Sequence, residues 1–124
     1  MESHDVLLSN LVDHCVGARN PSMALLSEGK LPKNWASKYL ALLERASNTW
    51  RDERVWPREL VGCLHFVSQL LPGRYEAWKR SYLKGDPHTE RQLAKVCGAS
   101  AIFLVSGIAG RETAGIELED GSQG

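Results

Sequence analysis

Trp35, Tyr39, Leu42, Leu43, Ala46 and Trp50 form the sequence pattern that most narrows what this chain can become. They recur at spacings of three and four, the interval that returns a side chain to the same side of a coil turning every 3.6 residues. Lys38, Glu44, Arg45 and Arg51 fall off that stripe. A strand is excluded here, because its side chains alternate with a period of two. The segment is therefore an amphipathic helix, and its apolar side needs cover from elsewhere in the chain.

Segments able to supply that cover are also helical. Residues 5–16 place Leu8, Leu11, Val12 and Cys15 on one face, with Gly17 available to end the helix. Asn20-Pro21 pairs a capping side chain with a residue suited to the first helical position, and the short helix that follows carries Ala24, Leu25 and Leu26 as far as Gly29. Pro57 opens a fourth segment in which Leu60, Val61, Cys63, Leu64, Phe66, Val67, Leu70 and Leu71 cover most of the circumference. A helix apolar nearly all round is expected to be central, and Pro72-Gly73 is expected to terminate it. Residues 74–84 put Tyr75, Trp78 and Tyr82 on one face, closed by Gly85. Asp86-Pro87 then caps a sixth helix through Leu93, Val96, Cys97, Ala101, Leu104 and Ile108, whose small residues Gly98 to Ala101 permit close helix crossings. Only residues 115–119 alternate in strand fashion, and a lone strand has nothing to pair with. The expected fold is all-α: a compact bundle of about five to six antiparallel or orthogonal helices over residues 1–110, with a flexible acidic tail over 111–124.

Charge decides which partners are plausible. Fifteen Lys and Arg balance fifteen Asp and Glu, so no basic field exists to concentrate nucleic acid or an anionic membrane. The charge is nevertheless segregated. Residues 30–58 carry seven cations and three anions (+4), and residues 74–95 carry six and three (+3), whereas residues 1–29 and 111–124 each sum to −3. Such a chain is self-complementary, and zero net charge tolerates association of like copies. Cys15, Cys63 and Cys97 are odd in number and contain no C-x-x-C pair, and nothing near Met1 resembles a secretory signal. A reducing, cytoplasmic setting with no membrane span is expected.

No constellation for chemistry stands out. His14-Cys15 are adjacent and Cys63 and His65 lie two apart, so on helices neither pair converges on one ion or one proton. No phosphate loop, no G-x-S-x-G frame and no paired E-x-x-H motif occurs, and no metal or cofactor is expected. Asp52-Glu53 sit between Arg51 and Arg54 as a solvated, salt-bridged turn. The chain reads as a non-enzymatic interaction or regulatory domain that binds a protein partner, in one version a second copy of itself.

Trp and Arg dominate interface hot spots, which singles out the junction of Trp50, Arg51, Arg54, Trp56 and Arg58 as the candidate partner surface. The competing expectation is that both indoles fold back over the helix junction. A second hypothesis places a small-ligand or enzyme site between helices around His65, with Gln69 in helical register. A third, disfavoured by the charge balance, is weak nucleic-acid binding through residues 74–84, where bases and aromatics interleave.

Overall fold

The computed structural model describes residues 3–123, with side chains for residues 3–106. It is an all-α bundle: α1 (His4–Cys15), α2 (Ser22–Glu28), α3 (Trp35–Trp50), α4 (Arg58–His65), α5 (Leu71–Tyr82) and α6 (Pro87–Gln123). A π-helical turn (Phe66–Leu70) joins α4 to α5. The expectation of a flexible tail over 111–124 concerns residues outside those with described side chains. Among the described residues no helix is long and apolar enough to cross a membrane.

Local chemistry fixes the helix ends. The Ser3 side chain accepts the Val6 N–H at 3.1 Å and caps α1. Asn20 Oδ1 accepts the Ser22 N–H at 2.9 Å to start α2, and Asp86 Oδ1 accepts from His88 and Thr89 at 3.1 and 3.3 Å to start α6. Each satisfies a donor that a helix N-terminus leaves without an intrahelical partner. Gly29 ends α2 in the left-handed conformation at φ 66°, as glycine's missing Cβ allows. The end of α5 departs from expectation: Leu83, not Gly85, takes the left-handed position, at φ 54°.

Pro72 does not break the fourth helix. The chain stays helical from Arg58 to Tyr82 because the π turn widens the backbone just before the proline, and the Leu71 N–H donates to the Phe66 carbonyl five residues back. A proline in a helix interior removes one donor and crowds the carbonyl four residues earlier, and a π turn accommodates both. In a five-residue pattern the missing Pro72 N–H would have served the Val67 carbonyl. That oxygen instead accepts the Cys97 thiol of α6, at 3.2 Å.

Four helices close a ring: α1 packs on α3, α3 on α6, α6 on α4 and α4 back on α1, while α2 packs on α5. Consecutive α3 and α4 lie across the ring from each other, so the 51–57 connector passes over one end of the bundle. Tyr39, Leu11, Leu25, Leu60, Leu64, Val67, Leu71 and Val96 are completely buried in the core. Two faces differ from the expected ones. In α1 the inward residues are Leu7, Leu11, His14 and Cys15, with Leu8 and Val12 only partly buried. In the fourth segment Val61 and Leu70 are exposed, so it is buried along one side and not all round.

Candidate functional site

Trp50 and Trp56 are both core residues. Trp50 ends α3 with its indole 5.5 Å from the His4 ring. Trp56 turns inward at the end of the connector, lies 4.7 Å from the Phe103 ring of α6 and donates its indole N–H to the Glu53 carbonyl at 3.1 Å. The expectation that these two indoles form a partner surface is corrected: a connector crossing the open end of a four-helix ring needs a large apolar plug, and Trp56 is that plug. What the junction shows to solvent is Arg51, Asp52, Glu53, Arg54, Val55 and Arg58. Arg51 is itself tethered, donating to Ser47 Oγ at 2.6 Å.

His65 and Gln69 lie on the exposed side of the α4–π segment. Neither lines any of the described cavities. His65 thus does not stand between helices as expected: α4 turns Leu60, Cys63 and Leu64 toward its neighbours, which leaves His65 outside. Along residues 74–84 the core takes Tyr75 and Trp78, while Tyr82 is 58% exposed. Lys79 lies 3.6 Å from Glu90, and the Lys84 ammonium sits over the Trp78 ring at 5.7 Å. Two of the three aromatics are thus unavailable to stack on bases.

The histidine that the fold does engage is His14, on α1. Its ring is 5% exposed and stacks on Trp35 of α3 with centroids 4.7 Å apart and planes 11° from parallel. Trp35 stacks in turn on Tyr39 at 5.2 Å and 5°. The two helices also exchange hydrogen bonds. His14 Nε2–H donates to the Trp35 carbonyl at 2.9 Å, and Trp35 Nε1–H donates to the His14 carbonyl at 2.9 Å and the Arg19 carbonyl at 3.1 Å. A carbonyl only accepts, so the neutral imidazole carries its proton on Nε2 and leaves Nδ1 as an acceptor. Further in, the Tyr39 hydroxyl and Ser100 Oγ are 2.6 Å apart, and Ser100 donates to the Val96 carbonyl at 2.6 Å.

Beside this stack is a cleft of about 380 Å³ lined by His14, Arg19, Asn20, Lys33, Trp35 and Lys38, with Ala18 and Pro32 at its edge. Arg19 comes from the α1–α2 connector, Lys33 from the α2–α3 connector and Lys38 from α3. The lining contains no carboxylate. Desolvation lowers the His14 pKa below its ordinary value, and the nearby Arg19 and Lys38 charges lower it further, while the Trp35 carbonyl and Asp13 oppose them.

Cys15 and Cys97 are held neutral, whereas a hydrogen bond to Cys15 lowers the pKa of Cys63, against burial and the Glu59 charge, in a thiol that is itself buried. A hydrogen bond to Cys63 and then burial raise Cys15 well above the ordinary thiol range, and burial pushes Cys97 up to about 11. A nucleophilic cysteine needs the opposite shift. Among the described residues no group of three or more His, Cys, Asp or Glu side chains is placed to hold a metal ion.

Comparison with protein-family models, with curated proteins and with solved structures finds no match for this chain. The site therefore rests on its own geometry. His14 was open to detection in the sequence, since Leu7, Leu11 and His14 keep helical spacing. The convergence of Arg19, Lys33 and Lys38 has no sequence signature, because three separate elements bring them together.

Proposed function

We propose that the chain is a non-enzymatic helical interaction module of the cytoplasm that associates with a second copy of itself through the outer face of α6. The carrying observation is that Ile102 and Val105 are 72% and 61% exposed side by side on that face. At about 100° per residue they share one side of the helix with Gly98 and Ala101, and the exposed Lys95 and Arg91 lie on the same side at its N-terminal end. Leu93, Val96, Ser100 and Phe103 take the opposite, buried side. The sequence has no Asp, Glu, Lys or Arg between Lys95 and Arg111. Small residues let two helix backbones approach closely, and the two larger side chains supply apolar area to bury.

Trp56 meets α6 at Phe103, which sets Val55, 82% exposed, at the same end of the bundle, beside the exposed Arg54 and Arg58. Zero net charge removes the long-range repulsion between copies. Three free thiols support a reducing compartment.

Sedimentation equilibrium across a wide concentration range, on the full chain and on Ile102→Glu and Val105→Glu, tests the proposal. The native chain is expected to dimerise and both variants to be monomers with unchanged helical circular dichroism. A native chain that stays monomeric at the highest concentration, or variants that dimerise as well as it does, overturns the proposal.

A further inference from the structure

The cleft beside His14 combines features that single out a ligand class. Three cations from three separate elements, Arg19, Lys33 and Lys38, face one cavity of about 380 Å³ with no carboxylate in its lining. The one acid nearby is Asp13, whose Oδ1 accepts the Ala18 N–H at 3.1 Å within the α1–α2 connector. The floor is His14, which is 5% exposed. Its Nε2 is committed to the Trp35 carbonyl. No buried side-chain nitrogen or oxygen among the described residues lacks a hydrogen bond. With Nε2 committed, Nδ1 is the ring's acceptor, and the ring lines this cleft.

Like charges gathered on a neutral protein repel one another unless something compensates them. A chain with fifteen cations and fifteen anions had carboxylates to place here. The cleft's lining holds none, and the Nδ1 acceptor of His14 is complementary to an acidic O–H. A monohydrogen phosphate group offers both halves of that match: anionic oxygens for the three cations and a hydroxyl for Nδ1. Trp35, only 2% exposed, offers no face for a base or ring to stack on. Recognition is therefore of the phosphate and not of an attached aromatic group.

We propose that this cleft is a binding site for a phosphate group, free or as a monoester, held by Arg19, Lys33 and Lys38 and hydrogen-bonded to His14 Nδ1. Binding is linked to protonation. The groups facing the His14 ring are Asp13 on α1, Arg19 in the α1–α2 connector, Lys33 in the α2–α3 connector, and Lys38, Tyr39 and the Trp35 carbonyl on α3. An anion that compensates Arg19 and Lys38 removes two of the influences that hold the imidazole neutral, so a bound phosphate raises the pH at which His14 titrates.

The His14 ring protons, followed by NMR with inorganic phosphate at constant ionic strength, read this out directly, with His4, His65 and His88 as internal references. The expected result is a saturable shift of the His14 signals and an upward displacement of its titration midpoint. Phosphoserine, added as the monoester, should produce the same shift, whereas matched chloride should not. Arg19→Gln and Lys38→Gln change exposed side chains, so their folding is checked by circular dichroism. Each should weaken phosphate binding by about three- to tenfold, as loss of one charge-assisted contact does. No saturable His14 shift at tens of millimolar phosphate overturns the proposal. So does an equal response from folded Arg19→Gln and Lys38→Gln, or a response that moves all four histidines alike.

Discussion

Replacing Gly29 with alanine probes how tightly α2 is joined to the bundle. Gly29 ends α2 at φ 66° and ψ 26°, and a Cβ built there would stand 2.3 Å from Cδ2 of the Trp78 ring. That indole has little room to retreat. It is 5% exposed, flanked by Tyr75 and Tyr82 with ring centroids 5.6 and 6.0 Å away, and covered by Lys84. Two costs add. Left-handed backbone disfavours an L-residue by about 1–2 kcal/mol, and forcing a methyl into a filled site costs about 1–3 kcal/mol more. The sum, about 2–5 kcal/mol, is a large fraction of the roughly 5–15 kcal/mol that holds a domain of this kind folded. Guanidinium unfolding followed by tryptophan fluorescence and circular dichroism should show a much lower midpoint, and Tm should fall by roughly 10 °C or more. Gly62→Ala is the internal control, since its Cβ would meet nothing within 4 Å inside α4. That change should stabilise by up to about 1 kcal/mol through helix propensity. Gly29→Asn separates the two costs, because asparagine tolerates the left-handed region but keeps the Cβ. A Gly29→Ala midpoint equal to the native one, or a Gly62→Ala loss as large as that of Gly29→Ala, would refute the reasoning.

Two further outcomes follow from the buried polar groups. Because the native environment lowers the His14 pKa from the ordinary imidazole value of 6.5, the unfolded chain binds a proton more readily than the folded one. The contribution of neutral His14 to stability is therefore complete above about pH 6.5 and is lost as pH falls toward its depressed folded value. Urea midpoints measured from pH 7.5 to 5 in phosphate-free buffer should decline, and the decline should be shallower in His14→Gln; identical slopes would remove the assignment. Inside the core, Tyr39→Phe leaves Ser100 still bonded to the Val96 carbonyl, whereas Ser100→Ala strands the fully buried Tyr39 hydroxyl. Ser100→Ala is expected to cost about 1–3 kcal/mol and Tyr39→Phe about 1 kcal/mol, and the reverse order in chemical denaturation would contradict the hydrogen-bond assignment.

The helical class and most helix boundaries were legible because they are local. Trp35, Tyr39, Leu42, Leu43, Ala46 and Trp50 are all buried along α3, and the caps at Asn20, Gly29 and Asp86 act within a few residues of themselves. Four things were not legible. Leu8 and Val12 are spaced like Leu7 and Leu11, so periodicity alone does not say which pair faces inward. Pro72 signals a break wherever the next segment is free to turn away, but here Leu71, Tyr75 and Trp78 are needed against the bundle, and the helix continues through a π turn. For the two tryptophans of the junction both directions stayed open, outward as anchors or folded back over the junction, because composition carries no record of direction. Their burial follows from the ring order, which sends a short connector across the bundle end. The basic cleft lay furthest from sequence, since its cations are brought together only by the docking of α1, α2 and α3.

The widened turn before Pro72 makes one position between α4 and α5 a spare. Five residues there, Phe66–Leu70, are fitted into a coil wider than the rest, as if one had been added to an ordinary helix. Shortening this stretch by a residue while the proline stays would set its ring against the backbone behind it. Removing the proline alone would leave an extra residue with no reason to bulge. Only the two changes together describe a regular rod, so the length of this segment and the identity of residue 72 are one structural decision, and homologous chains should be expected to carry both or neither.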